Sequence, residues 1–153
     1  TSQGGYLWRA SIASLPTGSL SVSKVPLGGT STSTPAISAN NKIYVGYYNG
    51  FSKGGVQAFD LENFELMDTV CSGEGFPVQS SILVSSVGDY DYLYFTTNYT
   101  TGAGYCYRYN AISDGVGTKM WQTTGSTYTL QGMAACNGYL TFGNDFNKFY
   151  VIH

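Results

Sequence analysis

The sequence predicts an all-β protein made of repeated antiparallel sheets, and three observations carry this prediction. A pattern of three short strand-like runs occurs three times along the 153 residues. Its middle run recurs at a regular spacing, since Ile43 and Leu93 are 50 residues apart and Leu93 and Leu140 are 47. No segment carries apolar residues at helical spacing over three turns. A period of about 40–50 residues with several short strands is typical of β-propeller blades.

The predicted elements follow the chain in four segments of one propeller domain, residues 1–153. Residues 1–27 alternate in polarity on both sides of a Pro-Thr-Gly turn, which predicts the last hairpin of a preceding blade. The two complete four-stranded blades are residues 32–70, with strands near 33–38, 42–47, 55–60 and 65–70, and residues 78–123, with strands near 79–85, 91–97, 104–110 and 118–123. Residues 130–153 predict a blade with three strands.

The predicted ring is incomplete. About three blades are fewer than the four to eight of most propellers. Either the chain is a piece cut from a longer propeller, or copies of it assemble to close a ring. In both cases the blades at the ends present unpaired edges, and such edges pair with other strands. We therefore expect the chain to be able to self-associate through these edges.

Composition excludes several classes of partner. Only 10% of the residues are charged, and the formal net charge is −2. The seven Lys and Arg residues are scattered, whereas a nucleic-acid interface needs clustered cations, so we expect no nucleic-acid partner. No apolar run approaches the roughly 20 residues that span a bilayer. The high content of Tyr, Ser, Thr and Asn is typical of exported bacterial proteins, which predicts an extracellular or cell-surface location.

The repeated motifs resemble the PQQ-like, or quinoprotein alcohol dehydrogenase-like, β-propeller repeats. The segments TPAIS (34–38), NKIYVG (41–46) and VQAFDL (56–61) follow the order of that repeat. Trp121 matches the Trp that closes a blade in the family, and this implies that it packs between blades. Trp8 is a looser match in the N-terminal segment, and the first blade lacks the closing Trp.

The same resemblance bears on enzymatic activity. The family includes dehydrogenases that hold a quinone and calcium with a catalytic Asp, a disulfide of neighbouring cysteines and a stacking Trp. This chain has no adjacent cysteines and no Asp in a comparable context. We therefore expect no catalytic residues, no cofactor and no metal. Asp89 and Asp91 in the Gly-Asp-Tyr-Asp segment fit a turn better than a calcium site, which needs six to eight oxygen ligands.

The three cysteines have no spacing typical of zinc, and their odd number argues against a disulfide framework. Cys106 and Cys136 occupy strand positions and are expected in the core. Cys71 follows a strand, at a position compatible with exposure.

Binding is the better-supported function. In a propeller, the loops that join the second strand to the third share one face with the loops between blades. The first set lies at residues 47–52, 97–101 and 144–147, and the second at 72–76 and 124–128. Aromatic rings beside amides and carboxylates on such loops can stack on and hydrogen-bond a ligand. The candidate ligand-binding residues are Tyr47, Tyr48, Asn49, Phe51, Asn98, Tyr99, Asn144, Asp145 and Phe146.

The sequence thus favours a non-enzymatic propeller module of an exported or cell-surface protein that binds protein or carbohydrate partners or acts as a scaffold. The alternative is a structural segment of a larger propeller enzyme whose active site lies outside this chain.

Overall fold

A computed structural model describes residues 1, 3–12, 20–71, 76–97, 103–110, 117–123 and 127–153. Within these ranges the chain forms thirteen strands and no helix, which confirms the prediction of an all-β fold. The strands in chain order are β1 (Tyr6–Ala10), β2 (Val22–Pro26), β3 (Ala36–Ile37), β4 (Lys42–Asn49), β5 (Lys53–Asp60), β6 (Leu66–Thr69), β7 (Leu83–Val87), β8 (Tyr90–Thr96), β9 (Gly104–Asn110), β10 (Thr118–Gln122), β11 (Ala134–Cys136), β12 (Tyr139–Gly143) and β13 (Phe149–Ile152).

Consecutive strands pair antiparallel and form four separate sheets. Sheet A contains β1 and β2, and sheet B has the order β3-β4-β5-β6. Sheet C has the order β7-β8-β9-β10, and sheet D has the order β11-β12-β13. Strand order therefore follows chain order in every sheet. None of the four sheets closes on itself in the part of the chain that the structure describes.

Sheet B packs against sheet A on one face and against sheet C on the other. Side chains alternate along β4, so Ile43 and Val45 contact Leu7 of β1, whereas Tyr44 faces the core shared with sheet C. That larger core includes Phe95 of β8 and several buried tyrosines of β9. Because both faces of sheet B are covered, β4 and β5 are buried along most of their length.

Sheet C packs in turn against sheet D. Leu83, Tyr94 and Trp121 of sheet C border a smaller core formed by Met133, Leu140 and Phe142. Trp121 therefore lies between two successive sheets, although it is only half-buried. The sheets are stacked in the order A, B, C and D, which is also their order in the sequence.

The observed strands lie close to the predicted ones, with two informative differences. The strand expected over 79–85 begins only at Leu83, because Ser80 bonds the backbone of Thr96 through its side chain: its hydroxyl donates to the Thr96 carbonyl and accepts the Thr96 N–H. The strand expected over 33–38 is reduced to Ala36–Ile37. Before this short strand the Ser31 hydroxyl donates to the Gly46 carbonyl of β4, so in both segments a serine side chain bonds the neighbouring strand where backbone pairing was expected.

The cysteine expectations were only partly right. Cys106 is buried as predicted, but Cys136 is exposed and Cys71 is buried, and none of the three is part of a disulfide. The backbone N–H of Val56 donates to Cys71 Sγ over 3.1 Å, which holds the thiol against β5. Cys136 lies in β11 of sheet D, and its side chain is exposed to solvent.

Candidate functional site

The β4–β5 and β12–β13 hairpins build the two projecting parts of the predicted binding face. Gly50 turns the first hairpin with a φ of 68°, a backbone conformation that glycine adopts without strain. In the second hairpin, Asn144 Oδ1 accepts hydrogen bonds from the N–H groups of Phe146 and Lys148. The side chain of Asn144 therefore shapes the turn that carries Asp145 and Phe146.

Hydrogen bonds and contacts connect the two hairpins through the segments between sheets. The N–H of Asp145 donates to the carbonyl of Tyr128 over 3.2 Å. The hydroxyl of Tyr128 donates to Gln79 Oε1, also over 3.2 Å. Gln79 in turn lines a small cleft of about 120 Å³ together with Tyr48, Phe51, Gly50 and Pro77. The two hairpins, Gln79 and Tyr128 therefore lie at the same end of the strands.

We call this end the loop surface and define it by Tyr48, Asn49, Phe51, Gln79, Tyr128, Asp145 and Phe146. Its two phenylalanines project into solvent, with exposed fractions of 78% for Phe51 and 54% for Phe146.

The pKa of Tyr128 is consistent with the position of this residue beside Asp145 and Tyr48. Burial raises the pKa of Tyr128, and the Asp145 carboxylate and the Tyr48 hydroxyl add to this effect. The phenol of Tyr128 therefore stays neutral and donates to Gln79 throughout the physiological pH range. The sequence did not predict Tyr128 or Gln79 as binding residues, although Tyr128 is the last residue of the predicted inter-blade loop 124–128.

The remaining predicted residues are placed as follows. Tyr47, Tyr48 and Asn49 were predicted in a loop, but all three lie within β4, which extends to Asn49. The ring of Tyr47 packs where side chains on Gly28 and Gly55 would otherwise stand. Burial raises the pKa of Tyr47, with a further contribution from Cys71. Tyr47 thus packs beneath the loop surface. Asn98 and Tyr99 lie outside the described residues.

A second, larger cleft lies between sheets C and D, at the end of the strands opposite the loop surface. It measures about 360 Å³, and Tyr94 and Trp121 line it on the side of sheet C. Tyr139 and His153 line it on the side of sheet D, with their ring centroids 4.7 Å apart. A register shift in the pairing of β9 with β10, between Lys119 and Trp121, sets the direction of the Trp121 ring.

A buried carboxylate joins sheets B and C. Asp91 is fully buried and accepts hydrogen bonds from the hydroxyls of Tyr44 and Ser86, each over 2.6 Å, and from the Asn40 amide over 3.0 Å. Burial and the adjacent carboxylate hold the pKa of Tyr44 far above its usual range, so Tyr44 remains a neutral donor. Neither periodicity nor composition distinguishes Asp91 from Asp89, which is exposed.

The described residues contain no group of three or more His, Cys, Asp or Glu side chains that could hold a metal ion. In the same ranges, no helix has the length and hydropathy that crossing a bilayer requires. No protein-family model matches this chain, and no curated protein matches it.

Proposed function

We propose that this chain is a segment of a PQQ-like β-propeller whose blades are sheets A to D, and that it serves as a non-enzymatic binding module of an exported or cell-surface protein. Its ligand-binding site is the loop surface. One observation carries this proposal: four separate segments of the chain bring polar and aromatic side chains together at one end of the strands. These side chains are Tyr48, Phe51, Gln79, Tyr128 and Asp145.

Several features support the propeller arrangement. Successive antiparallel sheets stack face to face in chain order, and strand order within each sheet also follows the chain. The first strands β3 and β7 of neighbouring sheets contact each other, as strands near a common axis would. The repeat that resembles the PQQ-like family coincides with these sheets.

The chemistry of the loop surface favours a glycan as ligand. A sugar ring presents an apolar C–H face that packs on an aromatic ring, and hydroxyl groups that bond amides and carboxylates. Phe51 and Tyr48 supply rings, while Asn49, Gln79 and Asp145 supply hydrogen-bonding groups. The open cleft of about 120 Å³ has room for part of one sugar unit.

A glycan array followed by calorimetry on the bound glycan tests the proposal. We expect Phe51→Ala and Tyr48→Ala each to weaken binding about tenfold or more, since each removes a stacking ring worth about 1.4 kcal/mol or more. Tyr139→Ala is the matched control, because Tyr139 is an exposed aromatic residue at the other end of the stack. Equal losses for Tyr139→Ala and Phe51→Ala would place the site elsewhere. Failure to bind any glycan, with a peptide array positive instead, would make the ligand a protein.

A further inference from the structure

The loop surface extends across three sheets. Phe51 lies in the β4–β5 hairpin of sheet B, and Phe146 lies in the β12–β13 hairpin of sheet D. Sheet C stands between these two sheets, since it packs against sheet B on one face and against sheet D on the other. Stacked sheets lie about 10 Å apart, so the two phenylalanines are separated by roughly 20 Å. One sugar unit cannot contact both rings.

A continuous series of contacts joins the two ends of this surface. Gln79 lines the cleft together with Tyr48 and Phe51. Its Oε1 accepts a hydrogen bond from the hydroxyl of Tyr128 over 3.2 Å, and the Tyr128 carbonyl accepts the N–H of Asp145, also over 3.2 Å. The middle of the loop surface therefore consists of an amide and a phenol that are bonded to each other, and it connects the two hairpins.

Both phenylalanines lie on short turns with fixed geometry. The strands β4 and β5 pair as far as Asn49 and Lys53, so only three residues form the loop that carries Phe51. In the other hairpin, Asn144 Oδ1 accepts the N–H of Phe146. The spacing between the two rings is therefore set before a ligand binds, and such preorganisation lowers the ordering cost of binding.

The cleft beside Phe51 is too small to enclose a compact ligand. Its volume is about 120 Å³, whereas sites that bury a small molecule usually measure about 300–1,000 Å³. The two phenylalanines project from the surface, since 78% of Phe51 and 54% of Phe146 are exposed. A ligand that contacts both rings must therefore be long and must lie along the surface.

We propose that the ligand of the loop surface is an extended glycan chain that lies across sheets B, C and D. One sugar unit packs on Phe51, another packs on Phe146, and the units between them lie over Gln79 and Tyr128. This inference rests on the proposed function, because it names the class of glycan that the same surface binds. A polysaccharide or a long oligosaccharide reaches both rings, whereas a single terminal sugar contacts only the cleft.

Calorimetry tests this inference with a size series of the glycan that the array identifies, from a single unit to the longest soluble oligomer. We expect the affinity to rise with length until one chain reaches both hairpins, and then to level off. Phe146→Ala should weaken binding of the longest oligomer about tenfold or more, and should change binding of the shortest one by at most about twofold, because a short oligomer occupies the cleft beside Phe51. Phe51→Ala should weaken binding of both.

Phe149→Ala is the matched control for Phe146→Ala. Phe149 is 70% exposed and belongs to the same hairpin, but it lies in β13, outside the loop surface. Its replacement should leave the affinity for every oligomer unchanged.

The double variant tests whether the two rings contact different sugar units. Substitutions more than about 7–10 Å apart that share no partner have additive free energies. Phe51→Ala combined with Phe146→Ala should therefore lower the affinity for the longest oligomer by about the product of the two single losses.

Four results would each overturn the inference: an affinity independent of length, a Phe146→Ala loss that is equal for the shortest and longest oligomers, a Phe149→Ala loss as large as that of Phe146→Ala, or a double variant no weaker than Phe51→Ala. If binding still depends on Phe51 in any of these cases, the proposed function stands while the extended ligand does not. If no glycan binds, both fail.

Discussion

At the scale of single residues, Asp91 makes a buried polar connection between two sheets. Its carboxylate receives donors from both sides, Tyr44 and Asn40 from sheet B and Ser86 from sheet C. Hydrogen bonds to a charged acceptor are shorter and stronger than neutral ones, and a buried donor that loses its acceptor keeps its full desolvation cost. Asp91 therefore adds a polar connection to the apolar core that already joins sheet C to sheet B.

Asp91→Ala should lower the free energy of unfolding by roughly 3 kcal/mol, because it leaves the buried Tyr44 hydroxyl and two further donors without their acceptor. Urea denaturation measures the change. Asp89→Ala is the control, since it removes an exposed carboxylate two residues away and should change stability by at most about 0.5 kcal/mol. Similar losses for the two variants would mean that Asp91 does not connect the sheets.

Cys106 gives the fold a dependence on alkaline pH. Burial raises the pKa of its thiol from 9.0 to about 11, against a smaller opposing effect of the Tyr94 hydroxyl. Because the folded pKa lies above the unfolded one, the stability that this group contributes is fully present below about pH 9 and is lost as the pH rises towards 11. The difference in unfolding free energy between the unmodified protein and Cys106→Ala, measured under reducing conditions, should fall over this range. A difference that stays constant with pH would contradict the assignment.

At the scale of elements, close backbone approach holds the β4–β5 hairpin against the segment that leads into sheet C. A Cβ on Gly54 of β5 would lie 2.6 Å from the Cα of Pro77 and would also collide with the carbonyl oxygen of Tyr47. Both obstacles are backbone atoms, which cannot move aside as a flexible side chain can. The absence of a side chain at Gly54 is therefore required for the position of the loop surface.

Gly54→Ala should destabilise the protein by roughly 1–3 kcal/mol through overpacking, as measured by thermal or urea unfolding. Gly143 in β12 offers the matched control, because a Cβ there would meet no atom within 4 Å. Gly143→Ala should be neutral or slightly stabilising, since it reduces the freedom of the unfolded chain. If Gly54→Ala were tolerated as well as Gly143→Ala, the close approach would not exist in solution.

The elements were predictable where one local signal determines them. The short apolar run Ile43-Tyr44-Val45, bounded by Asn and Gly, predicts a strand packed on both faces, and the two faces of β4 do pack on two different sheets. The turn after Asp60 was likewise predictable, and there the Asp60 carboxylate accepts the N–H groups of Glu62 and Asn63. The sequence could not separate Asp91 from Asp89 or Cys71 from Cys136, because their burial depends on how whole sheets stack.

The residues of the candidate site also divide into those that a local sequence signal predicts and those that depend on how the sheets stack. Chain order and strand count assign the residues around 47–52 and 144–147 to one end of the sheets. The side-chain bond from Tyr128 to Gln79 depends on the relative position of three separate segments, and no local pattern encodes it. Tyr47 and Tyr48 are neighbours in sequence, yet only Tyr48 lines the cleft, since adjacent side chains of a strand point in opposite directions.

At the scale of the whole molecule, the four sheets stack on one another, and none closes on itself in the residues that the structure describes. Sheets B and C bury both faces against neighbouring sheets. Sheets A and D are the outermost of the four, and each packs against a described sheet on one face. These end sheets leave large apolar side chains exposed, including Trp8 at 49% and Phe149 at 70%. Exposed apolar side chains of this size, where they form a patch, are typical of surfaces that contact other molecules.

The arrangement of the sheets about a common axis is the central claim, and an experimental structure of the protein at near-atomic resolution tests it most directly. We predict sheets B, C and D fanned around one axis, with β3, β7 and β11 nearest to it and the loop surface at one end of that axis. Sheets that face each other as a two-layer sandwich, or first strands that lie on the outside of the stack, would contradict it.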